Sequence, residues 1–179
     1  MTDFASTDML RLETGRLALE PQIAAHADAM FDVLSDPAIY QYENAPPRSR
    51  EWLRKRYARL ESRASADGLE HWLNWVIRLR TLELIGYVQA TVRTNGRAAI
   101  AYELASGYWG HGYASEAVAA MLDELGRRYG VQFVSAILKR ANERSRRLLE
   151  RVGFVPAPAS YHDKLEIDPD ELLMCRTLP

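Results

Sequence analysis

Apolar side chains along this chain fall into two rhythms, a helical one near the N-terminus and a two-residue one from about residue 71. The stretch Arg16-Leu17-Ala18-Leu19-Glu20 alternates apolar and polar positions before Pro21 and predicts a short strand. Residues 22–34 place Ile23, Ala27, Met30, Phe31 and Leu34 on one helical face, ending before Asp36-Pro37. A loop rich in Tyr, Asn and Pro leads to a second helix over 49–66, with Trp52, Leu53, Tyr57 and Leu60 inward and its arginines outward. Strands are expected at 71–80, 84–93 and 98–104, the last two joined by Asn95-Gly96, which suits a type I′ hairpin. A helix over 114–129 carries Val118, Met121, Leu122 and Leu125 on one stripe and closes at Gly130. Residues 131–138 predict a strand buried on both faces. A helix capped by Asn142 and ended by Gly153, a Pro-rich connection and a last strand over 172–177 complete the chain.

This order predicts an α/β fold, a central mixed sheet with helices on both faces. With 179 residues the chain is read as one domain over 1–179, its first ten residues a tail. A formal net charge of −1 offers no global field to recruit nucleic acid, and no direct nucleic-acid contact is expected. One cysteine, Cys175, excludes an intramolecular disulfide and reads as a small core residue; no spacing suggests a metal site. No stretch has the length of a membrane span and no leader is visible, so a cytoplasmic protein with no membrane partner is the expectation.

The most informative stretch is Ala105-Ser-Gly-Tyr-Trp-Gly-His-Gly-Tyr-Ala-Ser-Glu116, which joins a strand end to an amphipathic helix and holds three glycines in six residues. Glycines let main-chain N–H groups converge, and the first helical turn adds unpaired donors and a partial positive charge. The combination makes a phosphate site; a tight strand-to-helix turn without ligand would use the same residues. Gly110-x-Gly112-x-x-Ser115 partly imitates a dinucleotide fingerprint. That fingerprint needs an acidic residue after the second strand, where this chain has Lys139-Arg140. NAD is therefore disfavoured, while a 2′-phosphate on NADP stays open. The P-loop Gly-Lys-Ser/Thr is missing.

Trp109-Gly-His-Gly-Tyr-Ala114 resembles the Gln/Arg-x-x-Gly-x-Gly/Ala signature of the GNAT N-acetyltransferase superfamily, with Trp109 departing from its first position. "YWGHGYASEA" is similar to the ribosomal-protein N-terminal acetyltransferase (RimJ/RimL-type) branch. Leu12 to Leu19 resembles that branch's opening strand, and Asn142 to Phe154 its Asn-x-x-Ser…Gly-Phe segment. The resemblance implies the GNAT fold, with the fourth and fifth predicted strands splayed and acetyl-CoA lying between them as co-substrate. It implies that Leu104 offers main-chain groups to the pantetheine arm. Trp109, Gly110, His111, Gly112, Tyr113, Ala114 and Ser115 would hold the pyrophosphate, and Asn142 the pantetheine amide.

The implied reaction is direct attack of a neutral primary amine on the thioester, the amine belonging to a protein N-terminus or a small molecule. It needs a proton acceptor, an oxyanion donor and a proton for the leaving thiolate. A backbone N–H near Leu104 is the expected oxyanion donor. Ser145 stands where the family's hydroxyl reaches the coenzyme sulfur, though it also suits a helix cap. In Ile100-Ala-Tyr-Glu-Leu104 the alternation turns Glu103 away from the apolar face, beside Ala99 and Ala101. A carboxylate there needs solvent, a partner or a cleft. Glu103 is the candidate base, with an arginine ion pair as the alternative. His111 is expected to face solvent and His26 to lie on a helix surface, while His71 and His162 sit within reach of the acceptor cleft. Tyr40, Tyr42, Pro46-Pro47, Trp72 and Trp75 are candidate acceptor walls, and a homodimer fits the resemblance. The alternative function is a catalytically inactive acyl-CoA-binding sensor or scaffold, which has no use for Glu103 or Ser145.

Overall fold

The computed structural model describes residues 8–42, 44–158, 160–161 and 167–179. Strands β1 (Leu12–Glu13) and β2 (Leu17–Pro21) lead into helices α1 (Ala27–Leu34) and α2 (Arg50–Leu60). Three strands follow: β3 (Glu70–Leu79), β4 (Leu84–Arg93) and β5 (Arg97–Leu104). Helix α3 (Tyr113–Tyr129), strand β6 (Phe133–Lys139), helix α4 (Glu143–Arg151), strand β7 (Val155–Pro156) and strand β8 (Glu171–Thr177) complete the order. All the strands form one sheet in the order β1-β2-β3-β4-β5-β6-β8-β7. Among the described residues neighbouring strands run antiparallel except β5 and β6, which are parallel.

Alternation sends each strand's side chains to two cores. On one face Leu17, Trp75, Ile77, Val88 and Ile100 pack against Val118, Met121, Leu122 and Leu125 of α3. On the other, Val76 meets Ala27, Met30 and Leu34 of α1 and Leu53 and Tyr57 of α2. Arg50 pairs with Asp32, and Arg54 with Asp28 at 2.7 Å, so the arginines expected to face water also tie α2 to α1.

Several boundaries differ from the sequence reading. The first helix begins as a tight 3₁₀ turn over Ala24–His26, which leaves Ile23 40% exposed rather than inward. Helix α2 stops at Leu60 because Arg63 takes φ 59° and its carbonyl accepts from Trp72 N (2.8 Å) at the entry to β3. Trp52, expected inward, is exposed. In the β4–β5 loop Gly96 has φ 73° while Asn95 does not share the left-handed region, so this is a three-residue loop, 94–96, rather than a type I′ turn. Strand β6 is not buried on both faces: Val134, Ala136 and Leu138 are inside, whereas Ile137 is 48% exposed.

Strands β5 and β6 pair over only three positions, Arg97↔Phe133, Ala98↔Val134 and Ala99↔Ser135. Beyond them β5 continues against β4 as far as Leu104↔Gly86, and β6 against β8 as far as Lys139↔Glu171. Each strand keeps its outer partner while the two part company, so the sheet splits. Gly86 fits the β5 side of this split closely. A Cβ there would lie 2.1 Å from the Glu103 carbonyl oxygen, beside a register shift between Ile77 and Arg78.

Asp36 ties two loops at the mouth of the split. Its Oδ1 accepts from Ala38 N (3.0 Å), capping the turn Pro37–Tyr40, and its Oδ2 accepts from Ser106 N (2.6 Å) at the end of β5. The Ser106 amide, more than any other group, holds the Asp36 carboxyl below its usual pKa.

Gly86→Ala is expected to push β5 away from β4 and to cost about 3 kcal/mol, lowering Tm by roughly 6–12 °C for a chain of this size. An unchanged thermal melt would contradict the close approach. The Asp36 carboxylate has a depressed folded pKa, so its contribution is full above the ordinary aspartate range and is lost as pH falls through the folded value. Melts of the wild type and Asp36→Asn should therefore differ at pH 7 and converge in acid. A gap that stays constant with pH would rule out this linkage.

Candidate active site

The loop between β5 and α3 is shaped by two left-handed glycines. Gly110 and Gly112 both have φ 79°, and Gly112 forms the N-cap of α3 without any side-chain cap. The first helical bond runs from Glu116 N to Gly112 O (3.1 Å). The amides of Tyr113, Ala114 and Ser115 therefore have no carbonyl one turn back, and they lie at the positive end of the helix dipole. Arg16 braces the loop from below. Its Nη1 donates to His111 O (2.9 Å), and its guanidinium lies 4.6 Å from the Tyr113 ring centroid and 2.7 Å from Glu116 Oε2. Because the peptide is trans, drawing the His111 carbonyl toward Arg16 turns the Gly112 N–H the other way.

Glu116 also accepts from Thr14 Oγ1 (2.6 Å) and Arg16 N (2.9 Å). Burial pushes the Glu116 carboxyl up, but these donors and the guanidinium outweigh it and hold the pKa down. Glu116 thus stays ionised, with its charge offset by Arg16.

The split between β5 and β6 opens into a cavity of about 500 Å³ lined on both sides of the sheet. Glu103, Leu104, Trp109, Ala114, Asn142 and Ser145 line it. Gly110, His111, Gly112, Tyr113 and Ser115 form the adjoining turn. Ala105 N donates to Ile85 O (2.9 Å), which makes that pair a hydrogen-bonded one. In an antiparallel ladder such pairs alternate. Tyr87 and Glu103 are the next bonded pair, and the main-chain groups of Leu104 and Tyr102, opposite Gly86 and Val88, turn toward the split. Trp109 Nε1 donates to Leu104 O (2.9 Å), and the Arg144 guanidinium sits 3.6 Å over the Trp109 ring centroid. The indole thus wedges the end of β5 against α4.

On the α3 side, Ser145 Oγ and Tyr102 Oη are 2.8 Å apart, while Asn142 Oδ1 caps α4 by accepting from Ser145 N (3.1 Å). Burial, offset in part by Ser145, pushes the Tyr102 phenol up to about 12, so it stays protonated. The Tyr102 side chain was not singled out in the sequence; the available signal was a hydroxyl-tipped residue on the otherwise apolar face of Ile100 and Leu104. On the α1–α2 side, Glu103 accepts from Asn44 Nδ2 (3.4 Å) and stands opposite Tyr87 across the strand pair. Burial first, and the Glu103 charge second, raise the pKa of Tyr87 and of Tyr40.

Tyr40, Tyr42 and Pro47 line the α1–α2 side of the cavity, whereas Pro46, Trp72 and Trp75 do not. Trp75 is core, with its Nε1 on Leu10 O (2.9 Å), and Trp72 Nε1 reaches Glu70. His111 is exposed, with Nδ1 2.8 Å from Trp109 O. His26 accepts from Ile23 N through Nδ1 (3.2 Å) at the first turn, half-buried rather than on an open surface. His71 does not line the cavity, and His162 lies outside the described residues. Cys175 is partly exposed rather than core. Lys139 is engaged by Asp170 (3.2 Å) and Glu171 (3.1 Å), and Arg140 by Pro169 O (3.0 Å), which removes the support for a 2′-phosphate reader. Among the described residues no cluster of three or more His, Cys, Asp or Glu is placed to hold a metal, and no helix is long and apolar enough to cross a membrane.

Comparison with known proteins agrees with this architecture. The uncharacterized N-acetyltransferase YoaA of Bacillus subtilis (strain 168) is 29% identical over 146 residues, 80% of this chain and 81% of that protein. The structure of RimL, a ribosomal L7/L12 alpha-N-protein acetyltransferase in complex with coenzyme A, superposes with a TM-score of 0.78 at 18% identity, covering 94% of this chain and 98% of that one. Mycobacterium smegmatis RimJ in complex with a CoA-disulfide gives 0.72 at 23% identity, covering 90% and 81%. The model of the acetyltransferase (GNAT) domain matches residues 16–155, and with the split sheet and the glycine turn in place, the chain belongs to the GNAT acetyltransferase family.

Proposed function

We propose that this protein is an acetyl-CoA-dependent N-acetyltransferase that acetylates a primary amine, on a protein N-terminus or a small molecule, by direct attack on the thioester. The observation that carries this reading is the split itself: main-chain groups of β5 that pair with no strand lead from the glycine turn at the start of α3 to a carboxylate on the opposite face. The amides at Gly112 to Ser115 suit a diphosphate, and the Tyr102 and Leu104 main chain suits an amide-bearing arm.

Glu103, ringed by phenols that hold their protons, takes the proton of the incoming amine directly or through water. The Leu104 N–H faces the split and supplies a donor for the developing oxyanion. Ser145 and Tyr102 form a hydroxyl pair whose proton passes to the departing thiolate as the carbon–sulfur bond breaks. A sensor without catalysis would leave this polar arrangement without a purpose, and Glu103 and Ser145 lining one cavity favour the enzyme.

Gly112→Glu places a side chain at φ 79° and a carboxylate at the anion turn, so calorimetry should show acetyl-CoA affinity falling at least tenfold, about 1.4 kcal/mol. Unchanged affinity would remove the turn from the site. Glu103→Gln should lower kcat/KM about 10²-fold in a thiol-release assay at pH 7 with coenzyme affinity within about twofold. Acetyl-CoA binding without turnover on any amine, or variants at Glu103 and Ser145 that both match the wild type, would favour the sensor.

A further inference from the structure

Two residues that line the acceptor end of the cavity each carry a buried polar side-chain atom that the reaction scheme does not use. Tyr57 reaches the wall from α2, and Gln22 from the residue just after β2. Both residues are 3% exposed, and neither Tyr57 Oη nor Gln22 Nε2 has a hydrogen-bond partner among the described residues. Their main chains are firmly held. Gln22 N donates to Asn74 O (2.9 Å), Gln22 O accepts from Arg63 Nη2 (2.6 Å), and Tyr57 O accepts from Glu61 N (3.0 Å). Only the side-chain tips are left over.

Leaving a buried donor unmade is costly, and Phe or Met would fill the same volumes without that cost. Two such atoms, on residues of one cavity wall, point to a ligand that completes them. Its chemistry follows from the donors. The Gln22 amide nitrogen only donates, so the atom facing it must be an acceptor. Burial raises the Tyr57 pKa, so the phenol stays protonated and donates to the same kind of atom. A polyamine at neutral pH presents mainly ammonium hydrogens and leaves both donors unsatisfied.

Resting on the acetyl-transfer reading, we infer that the acceptor is a primary amine bearing a nearby carbonyl or hydroxyl oxygen, recognised by Tyr57 and Gln22. A peptide's first residue and an amino alcohol both have this chemistry. A site built to hydrogen-bond such an oxygen discriminates strongly against the analogue that lacks it.

The test compares alaninamide (carbonyl), alaninol (hydroxyl), sec-butylamine (neither) and spermidine with wild type, Tyr57→Phe and Gln22→Met. Comparing each variant with wild type on the same amine cancels differences in amine basicity. Tyr57→Phe should lower kcat/KM at least tenfold for alaninamide or alaninol, chiefly through KM, and less than twofold for sec-butylamine. Gln22→Met should act in the same direction. Acetyl-CoA affinity should hold and Tm should stay level or rise, whereas a structural role for the hydroxyl would lower Tm. Which oxygen-bearing amine responds separates the peptide-like acceptor from the amino alcohol. Equal losses on every amine, no loss, turnover confined to sec-butylamine and spermidine, or binding of acetyl-CoA with no turnover at all would overturn the inference. A wild type that fails to bind acetyl-CoA would instead bring down the acetyl-transfer reading, and this inference with it.

Discussion

The architecture depends on the hydrogen bonds that β5 and β6 do not make with each other. A central parallel pair normally zips along its length, since unpaired main-chain groups in a core are costly. Here pairing ends at Ala99↔Ser135, and each strand is held by its outer neighbour instead. The released edge of β5 can then be satisfied by something that is not a strand. The same separation connects the two faces of the sheet, so groups on the α3 side and on the α1–α2 side address one cavity.

The surroundings act to hold that opening in place. Gly86 lets β4 approach the Glu103 carbonyl where any larger residue would push it away. The Trp109 indole closes on Leu104 O, and Arg144 covers the ring. Arg16 and Glu116 anchor the glycine turn to the first hairpin, and Asp36 anchors the opposite loop to Ser106. Most of these contacts join residues far apart in the chain, and their targets are mainly main-chain atoms at the rim. Each contributes modestly, yet together they fix donor positions before any ligand arrives, the condition under which electrostatic stabilisation is most effective.

Much of this was legible in the residues, because period and punctuation are local. The stripe Val118, Met121, Leu122, Leu125 and the closing Gly130 mark α3 almost to its ends. Gly110 and Gly112 announce a turn that only left-handed positions make. Glu103 between alanines signals a carboxylate that needs a cleft, and Asn142 does cap α4 through Ser145 N. The opening stretch Leu12–Leu19 reads as one strand but folds as the β1–β2 pair, and β7 gives no signal, since two residues carry no period. The exposed face of β6 was misjudged because a strand bordering a cavity reads like one buried on both sides. Asp36 on Ser106, Tyr102 on Ser145, and the unpaired tips of Tyr57 and Gln22 are long-range facts that no spacing announces.

The central claim is that the split between β5 and β6 receives the thioester arm, with its diphosphate on the start of α3. The most direct measurement is a crystal structure of the wild-type protein with acetyl-CoA bound. The account predicts the arm lying along the Tyr102–Leu104 main chain, diphosphate oxygens within hydrogen-bond distance of the amides from Gly112 to Ser115, and the acetyl group facing the cavity that holds Glu103. Coenzyme bound elsewhere, with β5 and β6 zipped together beyond Ala99, would contradict it.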